Sequence, residues 1–330
     1  MTAIHATVTD VLPIADLPAL EDVELEPITS CPLCGTEEAH TFLATRHWTA
    51  WIEVERSIES VICARCGLLR LNSTLPFDVL ERPSKHGGGY TYGKAMTIEE
   101  CDKGFHRQHK RAQAMLGVIG DNLDALRARR GGATLRAIDV LSEAGGVVAA
   151  LNAVNIEAAG LDSSIGFGTY AREHKGLTIH DDHLYDHTPE TRYDLITALR
   201  VVNHYRDPMA CLNALRRLVS DDGLIYFELI DFAHALARKP LPSCLHVDHP
   251  TMFTSWTARA ALTTAGFEIL LWHSDRFGPH ELGPVGSANH LHILCRPAAP
   301  TEVSPPADAA TRARLELLTA VAQYDREPLP

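Results

Sequence analysis

The apolar and polar positions of this chain change period in blocks, and the block from residue 135 to residue 164 is the most informative. Residues 135–140 are an apolar run of strand length. Gly145 and Gly146 open a helix with apolar residues at Val147, Val148, Leu151 and Val154, and residues 157–161 predict a second strand that delivers Asp162. Strand, turn, helix and a second strand ending in an acid make up the layout of a nucleotide-binding unit. Ligands of open parallel sheets settle outside the strand C-termini, and an acidic side chain about twenty residues past the turn accepts hydrogen bonds from ribose hydroxyls.

The alternation continues downstream. Residues 177–180 and 193–199 predict a third and a fourth strand. Asp207 and Pro208 supply an N-cap and a first-turn proline for a helix to about Val219, Asp221-Asp222-Gly223 reads as a turn, and 224–229 as a buried strand. A helix over 256–264 ends at Gly266, and 267–272 with 289–294 predict a closing pair whose seventh strand runs antiparallel beside the sixth. The fold class is therefore α/β: a Rossmann-like, seven-stranded, mostly parallel sheet with its last strand antiparallel. Upstream, 98–126 predicts a helix rich in Arg, Lys and His that packs on this domain. Past Cys295 a proline-rich linker leads to a helix over 311–326 with Leu315, Leu318 and Ala322 on one face, expected to dock on a neighbouring subunit, a pathway protein or the chain's own body.

Of eight cysteines, four fall as Cys31-x-x-Cys34 and Cys63-x-x-Cys66, each pair followed by glycine. Four soft thiolates at this spacing predict a closed, structural Zn(2+) site in a small zinc-ribbon-like module, with strand-like segments at 39–43 and 52–61 between the pairs. The organisation expected is a lead-in over 1–27, the zinc-binding module over 28–76, a connector and helical lid over 77–130, the Rossmann domain over 131–296, and the linker with its helix over 297–330.

With 330 residues and 45% hydrophobic content the chain can bury a large core, and its formal charge of -12 argues against nucleic acid as a partner. The first residues show neither a basic n-region nor an apolar span, which points away from secretion and membranes and towards the cytoplasm. The expected partner is a small-molecule substrate.

Taken together, Tyr193-Asp194-Leu195-Ile196, Val201-Val202-Asn203-His204 with Asp207-Pro208, and Gly223-Leu224-Ile225 resemble the fourth-strand and fifth-strand segments of class I S-adenosylmethionine-dependent methyltransferases. The likeness spans most of residues 31–295. Within that superfamily, Tyr90-Thr91-Tyr92 and His246-Val247-Asp248-His249 look like the two segments that border the substrate in sugar C-methyltransferases, which also carry an N-terminal zinc-binding module. The resemblance implies S-adenosylmethionine as cofactor and C-methylation of a small, sugar-derived natural-product intermediate. Asp248 and His249 would move the proton next to a carbonyl, and Tyr90 or Tyr92 would stabilise the oxyanion. Asp139, Glu143, Gly145 and Asp162 would face the cofactor, with Asp181 or Asp182 near its adenine amine.

One departure stands out. The family turn carries glycines at alternate positions after its first acid, whereas this chain has Leu141, Glu143 and Gly145, a degenerate cofactor loop. Two other functions follow from that departure. The fold could serve a different, metal-dependent reaction, for which the run His180-Asp181-Asp182-His183-Leu184-Tyr185-Asp186-His187 offers ligands of the right type. It could instead be a non-catalytic scaffold that binds a partner through its zinc module.

Overall fold

The structure is a computed structural model that describes residues 23–48, 55–81, 97–239, 241, 244–274 and 290–326. In chain order the N-terminal part holds β1 (Glu26–Pro27), β2 (Ala39–Trp48), β3 (Glu55–Cys63), β4 (Leu69–Leu71), β5 (Ser73–Thr74), the short α1 (Phe77–Leu80) and the long α2 (Ile98–Arg129). The α/β part follows with β6 (Leu135–Val140), α3 (Gly146–Asn152), β7 (Ile156–Leu161), α4 (Ile165–Lys175), β8 (Ile179–His180), β9 (Tyr193–Leu199), a 3-10 turn at Val202–His204, α5 (Pro208–Leu218) and β10 (Val219–Ile230). It closes with α6 (Phe232–Leu236), β11 (Thr251–Met252), α7 (Ser255–Thr264), β12 (Phe267–Ser274), β13 (His290–Pro297) and α8 (Ala309–Arg326).

Seven strands form one sheet in the order β12-β13-β10-β9-β6-β7-β8. The strands from β8 across to β10 run parallel, and β13 lies antiparallel between β10 and β12. The apolar runs dictate this arrangement: buried residues of β6, β9 and β10 such as Ile138, Ile196 and Phe227 pack on one face, and Ala137, Leu195 and Tyr226 on the other. The strand order reverses between β6 and β9, which makes the crevice outside their C-termini the switch point where ligands of such sheets bind.

Two helices fix the walls of that crevice. Thr97 caps α2 through a reciprocal capping box with Glu100, and Ala112, Met115, Ile119, Leu123 and Leu126 bury one stripe of α2 against α3 and the sheet. The approach is close. A Cβ on Gly146, at the start of α3, would stand 2.2 Å from the Phe105 carbonyl oxygen of α2, so only glycine fits there.

The N-terminal strands join the α/β part through one sheet strand and a shared buried cluster. The second sheet runs β11-β4-β3-β2, and its edge strand β11 arrives from the far end of the α/β part to pair Thr251 with Arg70 and Met252 with Leu69. Cys31, Cys63, Cys66 and Leu68 belong to the same buried cluster as Val201, Val202, Tyr205 and Phe253.

Two expectations are corrected. Asp221-Asp222-Gly223 is no chain-reversing turn: Val219 and Leu224 of one continuous β10 pair with Tyr193 and Leu195, and the intervening residues bulge out of the ladder. On α8 the face that docks is Ala313, Leu317 and Ala320, seated on the chain's own β3 and α6, while Leu315 and Leu318 are 60% and 46% exposed.

Candidate active site

The turn after β6 keeps a glycine-type backbone without the glycines. Leu141 (φ 53°), Glu143 (φ 45°) and Gly145 (φ 80°) all lie in the left-handed region, at the alternate positions the family pattern assigns to glycine. Two non-glycine residues in that region cost on the order of 1–3 kcal/mol each, and such strain persists where the surroundings over-determine it. Here the surroundings are visible. Leu141 packs half-buried on the core, the Glu143 carboxylate accepts from Gln108 Nε2 at 2.8 Å, and the Glu143 N–H donates to Asp162 Oδ2 at 2.6 Å.

Asp162 stands at the end of β7, as expected, and is buried. Oδ1 accepts from the Ser164 N–H (2.8 Å) and the Ser164 hydroxyl, Oδ2 from Glu143, and burial pushes its carboxyl up to about 6. Each carboxylate oxygen accepts about two hydrogen bonds, so Oδ2 keeps one acceptor site for a ligand hydroxyl. Asp139 is also buried at the end of β6, accepts from Thr197 Oγ1 at 2.6 Å, and is raised to about 8, chiefly by burial. The Gly146 N–H, the first amide of α3, is engaged by Gln108 Oε1 at 3.2 Å.

Beside Asp162 lies a group of rings. His183, Tyr185 and Tyr205 pack together with Phe77, with centroids 4.8–6.2 Å apart, and the Asp162 charge contributes to holding the Tyr205 hydroxyl well above its ordinary value, after burial. Asp181 and Asp182 follow β8 at that end of the sheet, but their carboxylates are engaged with Arg172 (2.5 Å) and His187 Nδ1 (3.0 Å). The His187 Nε2 meets the Tyr193 hydroxyl at 2.9 Å. Both imidazole nitrogens of His187 are thus engaged within the loop, where His180, Asp182 and His187 also place one potential ligand atom each within 4.8 Å of one another.

On the other side of the switch point the chain gathers a second polar set. Arg200, with φ 62°, turns the chain after β9 while its N–H donates to the Glu228 carbonyl (2.8 Å), and the 3-10 turn carries Asn203, whose Nδ2 donates to the Thr251 carbonyl at 3.1 Å. That bond and the β11–β4 pairing hold residues 246–250 opposite the 3-10 turn. His204 and His249 therefore meet with Nε2 atoms 3.4 Å apart, and His204 Nδ1 lies 3.8 Å from Asp248 Oδ2. Burial, reinforced by His249, pushes His204 down to about 3; burial and His246 hold His249 well below its ordinary value. Both imidazoles are neutral at pH 7.

Asp248 and His249, neighbours in the chain, lie beside His204. Tyr90 and Tyr92 lie outside the described residues. Sequence reasoning missed Arg111 of α2, whose Nε donates to Glu228 Oε2 at 2.6 Å, and the chain of His290, His292 and Tyr226 around that carboxylate. A usable signal existed: Glu228 is the one charge inside the otherwise apolar run Leu224 to Ile230.

The cysteines form the remaining centre. Hydrogen bonds from the Gly35 N–H to the Cys31 carbonyl and from the Gly67 N–H to the Cys63 carbonyl, both 3.1 Å or shorter, close two turns with positive φ at the glycines. All four Sγ atoms lie within 4.8 Å of one another, with Cys31–Cys66 and Cys34–Cys63 at 3.5 Å, too far for disulfides. Thiolates at about 2.3 Å from a tetrahedral ion stand about 3.8 Å apart, which these separations fit.

Residues 108–271 match a family model described as a methyltransferase domain, just under half of the chain. This chain contains a methyltransferase domain. The sheet order already described is that of an α/β methyltransferase fold. Among solved structures, the methyltransferase domain is similar to an S-adenosylmethionine-dependent methyltransferase from Clostridium acetobutylicum ATCC 824, at 11% identity and TM-score 0.44 over 58% of this chain and 92% of that one. It is also similar to the CcbJ methyltransferase from Streptomyces caelestis (15%, TM-score 0.43, 58% and 90%) and to Streptomyces venezuelae DesVI (17%, TM-score 0.44, 61% and 97%). No curated protein matches the chain. Among the described residues no helix is long and apolar enough to cross a membrane.

Proposed function

We propose that the chain transfers a methyl group from S-adenosylmethionine to a carbon beside a carbonyl in a small, sugar-derived natural-product intermediate. The observation that carries this reading is the grouping of His204, Asp248 and His249, with His204 on the 3-10 turn that follows β9 and Asp139 near the end of the neighbouring β6. S-adenosylmethionine, when bound, supplies an electrophilic sulfonium methyl. Asp162 fits its ribose through the free acceptor site of Oδ2, and the half-buried Glu143 carboxylate fits its ammonium. The neutral imidazole of His249, beside the Asp248 carboxylate, takes the proton from the acceptor carbon, and the Arg200 guanidinium offers charge to the oxygen that becomes negative. For this chain Tyr90 or Tyr92 would complete the oxyanion contacts.

The four cysteines hold Zn(2+) in this reading, and the ion acts structurally. Calorimetry with S-adenosylmethionine tests the central claim: saturable heat with an accompanying rise in Tm is expected, and neither at millimolar ligand would remove methyl transfer. His249→Ala is expected to fold and bind the cofactor while turnover falls by about 10²-fold or more.

A further inference from the structure

Asp248 is 3% exposed, and among the described residues its Oδ1 is buried with no hydrogen-bond donor. Its Oδ2, at 3.8 Å from His204 Nδ1, is too far for a hydrogen bond. A buried carboxylate left this way costs several kcal/mol unless a cation meets it. Beside it, His204 makes a hydrogen bond with the Asp248 backbone, which leaves Nε2 for another partner. That Nε2 faces a second Nε2, from His249 at 3.4 Å, a contact in which one nitrogen donates to the other or both offer lone pairs according to tautomer, and each of the three residues places one ligand atom within 4.8 Å of the others.

We propose that His204, Asp248 and His249 bind a divalent transition-metal ion, separate from the cysteine centre, and that its open coordination positions take an oxygen of the methyl acceptor. Nitrogen ligands at about 2.1 Å from one ion stand about 3.0 Å apart in an octahedral site and about 3.4 Å in a tetrahedral one, and the observed imidazole pair already has that separation. The backbone bond of His204 is the second contact expected of a metal-bound imidazole, because it fixes the tautomer and the ring orientation. Two imidazoles and one carboxylate leave one position open in the tetrahedral geometry and three in the octahedral one. With one carboxylate against a divalent ion, and the Arg200 charge acting on both histidines, the site retains positive charge and selects an acceptor with an enolisable or anionic oxygen. The ion draws electron density from that oxygen.

This inference rests on the reading that the crevice receives the acceptor, and it reassigns Asp248 and His249 from moving the proton to holding the ion. The test uses the full chain with zinc in its cysteine centre, titrated with Mn(2+), which favours nitrogen and oxygen ligands over thiolates. Calorimetry and the loss of the free Mn(2+) paramagnetic signal should report one saturable equivalent per chain. His204→Ala and Asp248→Asn should each weaken it by at least about tenfold, with zinc content unchanged. The conservative His204→Gln replaces His204→Ala if the latter fails to unfold cooperatively.

Absence of saturable binding in the wild type, or equal binding in both variants, overturns the site. S-adenosylmethionine titrated into the same samples reads the methyltransferase assignment separately. Its heat without bound Mn(2+) removes the ion and keeps methyl transfer, whereas bound Mn(2+) without its heat keeps the ion and removes methyl transfer.

Discussion

The Glu143 N–H donates to Asp162 Oδ2 at 2.6 Å, so the acid at the end of β7 is tied to the left-handed turn after β6. That carboxylate satisfies two turn amides, and in the proposed function the remaining acceptor site of Oδ2 meets the ribose. Asp162→Asn keeps the shape but exchanges one acceptor oxygen for a donor that faces an N–H. S-adenosylmethionine affinity should fall by about 1–3 kcal/mol, with Tm lower as well. Calorimetry beside thermal unfolding checks both; unchanged affinity would remove Asp162 from the cofactor's contacts.

The φ of 45° at Glu143 predicts an inverted preference between two small residues. In most of a chain alanine is more stable than glycine, because glycine has more freedom to lose on folding. At a left-handed position the steric cost of a Cβ reverses this order. Glu143→Gly should be more stable than Glu143→Ala by about 1 kcal/mol in chemical denaturation. The opposite order would show that the turn does not hold this conformation.

Much of the α/β sheet was legible because burial on both faces leaves short, mostly apolar segments, as in β6 and β9, which fix strand and position together. Where two signals competed, the louder one misled. On α8 the leucines at 315 and 318 read as the docking face, yet small Ala313 and Ala320 around Leu317 allow close approach to the body, and a Cβ on Gly67 would meet Ala313 Cβ at 2.9 Å. Asp221-Asp222-Gly223 has turn chemistry, but pairing on both sides with β9 keeps the strand running. The loop at 141–145 failed the glycine pattern because the pattern reports residue type, whereas the fold requires only a φ that Leu141 and Glu143 also adopt. His249 and Asp248 were visible as a pair; His204 joins them only through the β11 pairing, a contact between distant segments that no local period encodes.

The cysteine centre shares its cluster with the methyltransferase core, since Cys31, Cys63 and Cys66 pack with Val201, Tyr205 and Phe253. Zinc loss should therefore loosen the crevice as well as the N-terminal strands. Cys63→Ser is expected to abolish zinc binding at that centre and lower Tm by roughly 3 °C or more, equivalent to a loss of about 2 kcal/mol in a chain of this size. Elemental analysis with scanning calorimetry checks it. A variant with wild-type Tm and no zinc would show that the four thiols hold the fold without metal.

The last prediction concerns pH and comes from carboxyls held above their ordinary values by burial. Asp139 is raised to about 8 and Glu81, which accepts the Arg206 N–H at 2.6 Å, to about 7. Both have folded pKa values above their unfolded ones near 4, so between about pH 8 and pH 4 the folded chain binds more protons than the unfolded chain. Their contribution is fully present below the unfolded pKa and is lost as pH rises through 7 and 8. Stability should accordingly increase on going from pH 8.5 to pH 6.5. Below that, half-buried histidines such as His180, held low chiefly by desolvation, oppose the gain because the unfolded chain takes up their protons. One such carboxyl contributes a slope of at most about 1.4 kcal/mol per pH unit. Asp139→Asn removes its share while keeping an oxygen to accept from Thr197 Oγ1. Denaturation midpoints of wild type and Asp139→Asn across pH 6.5 to 8.5 should converge at the acidic end, relative to their separation at the basic end, where the variant is the more stable. Parallel curves would show that Asp139 does not titrate in this range.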